Sequence, residues 1–302
     1  MSNAFRAPLK KRNEGTAFAR PVADKVVNSE RLAFKLETVA EGLETPWSVA
    51  FLPDGRMLVT EKAGRLRVVE KGRLLPKPIE GTFSIGERGH KEDAQELSRP
   101  NGKVHRIHED GSIPKDNPFA GREGAIASIW SYGNRNPQGL TRHPVTGELW
   151  EAEHGPRGGD ELNRIEPGHN YGWPVITYGM NYDGTPMTDR TAQEGMEQPV
   201  LHWTPSIAVS AIDFYTGSRF PQWKNDLLVG ALAQQELRRL RIEDGKVVHQ
   251  EVLFKDIGRV RDVVSGPDGA IYIAFNEPDR IARLVPASPV EPASGKTRDT
   301  KP

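Results

Sequence analysis

Two arginines two residues apart, Arg259 and Arg261, lie in the run GRVRDVVS. Its β-branched content predicts a strand, on which both side chains would face the same way. Like charges on one face call for an anion or an acidic side chain between them. A bound anion would meet that need, and so would Asp256 and Asp262 as counter-charges at the surface. A second cluster surrounds the turn EHGPRGGDELN at 153–163. Carbonyls of a Gly-Pro turn serve a hard cation such as calcium as well as carboxylates do; an ordinary polar loop is the other reading. The density of Gly, Pro, Asp and Asn from 154 to 172 weighs against a plain hairpin, whose connection would be shorter. With no Cys in 302 residues, thiolate nucleophiles, thiolate metal sites and disulfides are excluded.

Short strands must position these groups. The phrase PWSVAFLPDGRMLVT at 46–60, followed by GRLRVV at 64–69, reads strand, tight turn, strand, short loop, strand. It returns from Pro137, from near Ile207 and from Val260, each time with a Gly that supplies the positive φ of a tight reversal. Each copy is a small antiparallel sheet that cannot bury both faces alone, and radial stacking about an axis solves that problem. The segment TFSIG at 82–86 with GKVHRI at 102–107 matches only the back half of the phrase, which predicts an incomplete blade. The 30 Gly and 24 Pro suit such a turn-rich all-β fold, a β-propeller over about 34–286 with flexible flanks at 1–33 and 287–302. The 41 basic and 41 acidic residues cancel, so no global field draws nucleic acid or an anionic membrane. No stretch approaches 18 consecutive apolar residues, so no membrane span is expected, and the N-terminal stretch lacks the apolar run of a secretory signal.

Five segments, LETPWSVAFLPDGRMLVTEKAGRLRVVEKG, AQELSRPNGKVHRIHEDGSIPKDNPF, IWSYGNRNPQGL, EHGPRGGDELN with NYGWP, and GRVRDVVSGPDGAIYI, carry a resemblance to a known family. It is that of the soluble aldose sugar dehydrogenases that use pyrroloquinoline quinone (PQQ), which includes glucose and sorbosone dehydrogenases. The resemblance implies a six-bladed propeller with the cofactor at one end of the central channel, an aldose substrate, an external electron acceptor, and a periplasmic or secreted location. It places Arg135, Asn136, Tyr182, Arg259 and Arg261 against PQQ, whose carboxylates suit guanidinium groups. It places Gly155, Pro156, Glu161 and Tyr171 at calcium. Where relatives often carry Lys after Gly-Ala-Leu, this chain has Ala233.

The family pattern breaks between Gly81 and Thr82. Relatives there have a Gln-Gly-Gly strand and an Asn-His-x-x-Gly-Arg-Leu segment whose His is the general base, and here both are missing, leaving the propeller a blade short or incomplete. A base must come within hydrogen-bond reach of the proton it removes. His90 falls in the charged loop ERGHKED, His143 in a turn, and His154 beside the Gly-Pro turn; none is at the family's base position. Two other readings stay open: a non-catalytic propeller binding sugar, calcium or a protein, and a calcium-dependent lactonase, which would need a carboxylate set that the sequence offers only at 153–161.

Overall fold

In a computed structural model, the structure describes residues 81–108, 112–277 and 280–286, with strand segments at 26–28, 33–35, 46–51, 56–61, 66–71 and 73–74. The chain divides into two compact units, Met1–Pro76 and Lys77–Pro302. In the first, β1 (Val26–Asn28) pairs with β2 (Ala33–Lys35), so a strand occupies part of the expected N-terminal flank. The rest of both flanks lies outside the described residues, apart from Ala33 in β2. A four-stranded meander follows: β3 (Pro46–Phe51), β4 (Met57–Glu61), β5 (Leu66–Glu70) and β6 (Arg73–Leu74).

The second unit holds four sheets in chain order. The first is β7 (Gly81–Ile85), β8 (Lys103–Ile107) and β9 (Ile129–Tyr132). The second is β10 (Pro137–Arg142), β11 (Leu149–Glu153), β12 (Asp160–Ile165) and β13 (Leu201–Trp203). The third is β14 (Val209–Phe214), β15 (Leu227–Ala231), β16 (Glu236–Glu243) and β17 (Lys246–Phe254). The fourth is β18 (Arg259–Ser265), β19 (Ile271–Asn276) and β20 (Arg280–Leu284). Every pairing is antiparallel between sequence neighbours. The repeated phrase therefore maps onto whole sheets, and its copies open at β3, β10, β14 and β18. The sheet that lacks the opening half of the phrase has three strands. β10 packs along β14 and β14 along β18, while β7 only grazes β10, so β7 does not fill an opening-strand position.

The opening strand of each copy carries a β-bulge near its start, between Pro46 and Ser48, Pro137 and Gly139, Val209 and Ile212, and Val260 and Asp262. A bulge adds an unpaired residue and re-aims its side chain. In β18 that residue is Arg261.

Apolar layers join consecutive sheets. Trp150, Ala152 and Leu162 pack against Phe214, Leu227, Val229 and Leu240 between the second and third sheets. Tyr215, Leu228 and Leu237 pack against Val260, Val263, Ile271 and Ile273 between the third and fourth. At roughly 1.5–3 kcal/mol per fully buried large side chain, these layers dominate the unit's stability. The layer between the first and second sheets is small, with Val104, Leu149, Ile165 and Tyr171. Beyond Leu149 the same face of β11 turns acidic.

β11 is buried on both faces, and alternation sorts its residues. Trp150 and Ala152 enter the large core, whereas Leu149, Glu151 and Glu153 share the opposite face. On β12 the cross-strand partners of those three are Ile165, Asn163 and Glu161. Two glutamates thus face each other directly across an antiparallel pair, an arrangement destabilising by itself.

Candidate cofactor and cation site

The connection from β11 to β12 is residues 154–159, so the stretch expected to exceed a plain hairpin contains one, with a six-residue turn. Gly158 and Gly159 make it possible with φ of +84° and +68°. Gly155 tolerates no side chain, since a Cβ there would lie 2.1 Å from the Gly158 carbonyl oxygen. Asp160, fully buried, fixes the turn from below: Oδ1 accepts the Gly155 N–H at 3.0 Å, and Oδ2 accepts Ser206 Oγ at 2.9 Å and the Val209 N–H at 3.1 Å.

Arg135 meets this turn. Its Nη1 donates to the carbonyls of His154 and Gly155, both at 2.9 Å, and its Nη2 to Tyr182 Oη at 3.4 Å. The guanidinium lies over the ring of buried Trp173, 5.2 Å from its centroid. Arg157 donates to the Tyr182 carbonyl at 3.4 Å, and its backbone pairs with Met180, so the Tyr182 loop is tied to the same turn. Tyr182 itself is 73% exposed, at the rim of an open depression of about 240 Å³ lined also by Arg135, Pro156, Trp173, Lys91 and Met187.

Beneath Arg135 a second, closed cavity of about 10 Å³ touches Gly155, Glu153, Glu161 and Tyr171, room for roughly one water-sized sphere. Around it the polar groups are under-satisfied. Asn163 Nδ2 lies 3.2 Å from Glu151, 3.3 Å from Glu153 and 3.3 Å from Glu161. Glu151 Oε1, Asn134 Oδ1 and Asn163 Oδ1 are buried with no partner. Burial, and then the neighbouring carboxylates, push the carboxyls of Glu151 and Glu161 well above the usual range. Burial raises Glu153 to about 7, against the opposing N–H groups of Arg135 and Asn136. Among the described residues, no three His, Asp or Glu side chains are gathered so as to hold a metal ion by themselves. A cation here would need carbonyl and amide oxygens as well, and the Gly155 turn, Asn134 and Asn163 supply both types. The donor chemistry fits a hard cation.

The residues singled out in the sequence fall into three groups. Arg135, Gly155, Glu161 and Tyr171 share the closed cavity, and Arg135, Pro156 and Tyr182 share the depression. Glu161 is a strand residue rather than a loop carboxylate. The Tyr171 hydroxyl is already committed, donating to the Arg164 carbonyl at 2.6 Å and accepting the Glu166 N–H at 2.8 Å, so that hydroxyl is spoken for by backbone. Asn136 Nδ2 lies 3.4 Å from His154 Nδ1. Arg261 is exposed and donates to Asn276 Oδ1 at 2.9 Å; Asp262 turns its carboxylate to the Val263 N–H instead of serving as counter-charge. Arg259 is half-buried.

Of the three histidines, His90 is exposed at the start of the 3₁₀ turn Lys91–Ala94, and His143 Nδ1 accepts the N–H groups of Val145 and Thr146. His154 has a buried, unpartnered Nε2, and burial, with Arg135 and Arg261 nearby, holds it below the usual imidazole range despite Asp160. The sequence reading missed Glu151, Glu153, Asn163 and Trp173. It also missed fully buried Lys103, whose Nζ donates to the carbonyls of Asp93 (2.6 Å), Ala94 (3.0 Å) and Asn101 (2.7 Å).

The family model described as Glucose / Sorbosone dehydrogenase matches residues 43–83 and 82–283. The chain belongs to this family. Its match comes in two pieces that overlap at Thr82 and Phe83. An aldose sugar dehydrogenase of Escherichia coli K12 is 42% identical over 217 residues, 71% of this chain but only 57% of that protein's length. An uncharacterised Synechocystis protein is 30% identical over 84% of this chain and 86% of its own. That alignment runs to 356 positions against 302 residues in this whole chain, so the relative carries positions with no counterpart here. A quinoprotein glucose dehydrogenase B of Acinetobacter calcoaceticus is 28% identical over 69% of this chain and 59% of that one. A crystal structure of a glucose dehydrogenase superposes with a TM-score of 0.72 at 36% identity, over 82% of this chain and 85% of the other.

Proposed function

We propose that this family member binds PQQ in the depression at Arg135 and Tyr182, holds calcium at the Gly155 turn, and is an oxidoreductase of aldose sugars on a propeller one blade short or incomplete. When bound, the quinone supplies the hydride-accepting chemistry by which an aldose is oxidised at C1 to a lactone, with electrons passed to an external acceptor. The chain's own residues bind and orient. The observation that carries the reading is Arg135, a permanently charged head held on Trp173 beside a rim tyrosine, where a planar, carboxylate-bearing ligand would find a cation and one exposed aromatic face. Asn136, Arg259 and Arg261 belong to the same proposal, with the exposed Arg261 guanidinium as a second cation. Glu161 and the Gly155 and Pro156 carbonyls would hold calcium with the free amide oxygens beneath them, and Tyr171, whose hydroxyl is committed to backbone, would line the same site. A periplasmic or secreted location goes with this reading, and no described helix is long and apolar enough to cross a membrane.

One observation favours a second reading, a cofactor- or sugar-binding propeller without turnover. His143 Nδ1 is consumed in its turn, His154 presents a buried Nε2, and the family match comes in two pieces that meet where the resemblance expects the base segment. Absorbance titration with PQQ and calcium, followed by dye reduction with glucose, separates the two. A saturable spectral change with turnover supports the enzyme, and the change without turnover supports the binding protein. No spectral change removes the enzyme and the cofactor-binding protein, and leaves a sugar-binding propeller to be tested by calorimetry with glucose alone.

A further inference from the structure

Resting on the proposal that Arg135 receives the cofactor, the geometry points to Glu153 as the positioning residue that sets where the Arg135 guanidinium lies. Glu153 is 3% exposed, and four donors reach its carboxylate. Oε2 accepts the backbone N–H groups of both Arg135 and Asn136, the latter at 3.1 Å. Oε1 accepts Asn134 Nδ2 at 3.4 Å and Asn163 Nδ2 at 3.3 Å. Two consecutive backbone N–H groups converging on one oxygen form an anion nest, so the chain direction at 135–136 is fixed by a side chain.

The two residues that follow Glu153 complete the grip. The His154 and Gly155 carbonyls take the Arg135 guanidinium, so the segment 153–155 holds Arg135 at its backbone and at its head. The other main-chain ties on this stretch run backbone to backbone: the Gly133 N–H to the Ala94 carbonyl, the Trp173 N–H to the Gly133 carbonyl, the Asn134 N–H to the Gly102 carbonyl, the Glu87 N–H to the Arg135 carbonyl, and the His154 N–H to the Asn136 carbonyl. Side-chain substitution leaves those intact. Only the nest depends on an acidic side chain, and it needs acceptor capacity on both oxygens. An amide of the same shape offers one accepting oxygen and a nitrogen that can only donate, so it must face either the nest or the two asparagine amides donor to donor.

Glu153→Gln and Glu153→Asp in the full chain test this, with and without Arg135→Met. In the cofactor-free protein, amide exchange at Arg135 and Asn136 should quicken roughly tenfold or more in Glu153→Gln, while β14 to β16 keep their wild-type protection. PQQ affinity in the presence of calcium should fall by about tenfold, the size usual for a residue supporting a ligand-contacting one. In the Arg135→Met background the same substitution should change affinity less than twofold, because the residue it positions is gone. An equal loss in both backgrounds makes Glu153 a general structural residue and overturns the inference, as does unchanged Arg135 exchange. Glu153→Asp, which keeps the charge, should fall between wild type and Glu153→Gln, and it replaces the amide variant if that fails to fold. Should wild-type chain not bind PQQ, the proposed function fails, and the exchange measurement still decides the role of Glu153.

Discussion

Glu161→Gln tests whether the acidic face between the first and second sheets is built for a cation. Glu161 faces Glu153 across the β11–β12 pair and shares the Asn163 amide with it and with Glu151. All three carboxyls are held above their unfolded value of 4.5. A carboxyl raised in this way contributes stability that is present below the unfolded pKa and lost as pH rises through the folded one. For Glu153 the window runs from 4.5 to about 7, and Glu151 and Glu161 are shifted in the same direction. Each unit of such a shift corresponds to about 1.4 kcal/mol, so without calcium the cluster costs several kcal/mol at pH 8. A neutral amide at 161 keeps an acceptor for Asn163 and removes one of the opposed charges. In chelator at pH 8, Glu161→Gln should therefore be more stable than wild type by about 1–3 kcal/mol, the range seen when buried charge is replaced by neutral groups. Calcium should reverse the order. At a hundredfold excess over its dissociation constant it adds about 2.7 kcal/mol to a chain with an intact site and much less to the variant. Urea unfolding in EDTA and in calcium, at pH 6 and pH 8, gives all the numbers. Equal stabilisation of both proteins by calcium, or a variant weaker than wild type in EDTA at pH 8, would refute the reasoning.

Three further outcomes are expected. Gly155→Ala, whose Cβ would sit 2.1 Å from the Gly158 oxygen and 2.4 Å from Gly159 C, should cost about 1–3 kcal/mol in urea unfolding and abolish the spectral response to PQQ with calcium. Arg239, 7% exposed, pairs with buried Asp226 and with Glu251; Arg239→Met leaves Asp226 uncompensated and should cost about 3–5 kcal/mol, read as a drop in urea midpoint. Burial holds the His105 imidazole down to about 4, so its contribution is complete above 6.5 and is lost as pH falls through about 4. That amounts to about 3 kcal/mol at most, and in His105→Gln the fall in stability between pH 6.5 and 4 should be correspondingly shallower.

The repeat in the sequence carried most of the fold, because a turn glycine between two apolar runs constrains the backbone locally, and β3, β10, β14 and β18 begin where the phrase does. The three-stranded sheet at β7 to β9 lies where the opening half of the phrase is absent, but the sheet that opens with the full phrase at β18 has three strands too, so strand count does not report the missing half. The acidic face was not legible. Glu151 and Glu153 alternate with Trp150 and Ala152, and a period of two usually means one face in the core and one in water. Here both faces are covered, which depends on neighbouring sheets that a single strand does not encode. The signal that could have exposed it was the pairing of EAE with ELN across a short Gly-rich turn, which sets two glutamates opposite each other. The Arg259–Arg261 spacing was readable, but the bulge that leaves Arg261 unpaired belongs to its pairing with β19. Lys103 escaped because its partners are carbonyls, which every residue has.

That lysine bears on how the depression can be taken apart. Its ammonium sits among three carbonyls as a metal ion would, and it shapes the segment 91–102 that anchors Gly133 and Asn134 on one side of Arg135. This positive charge is bonded to the chain, so it cannot be chelated, diluted or exchanged. The Gly155 side of the same depression would answer to the ion content of the solution. The Lys103 side is indifferent to it and answers to pH instead, since burial lowers that ammonium to about 8.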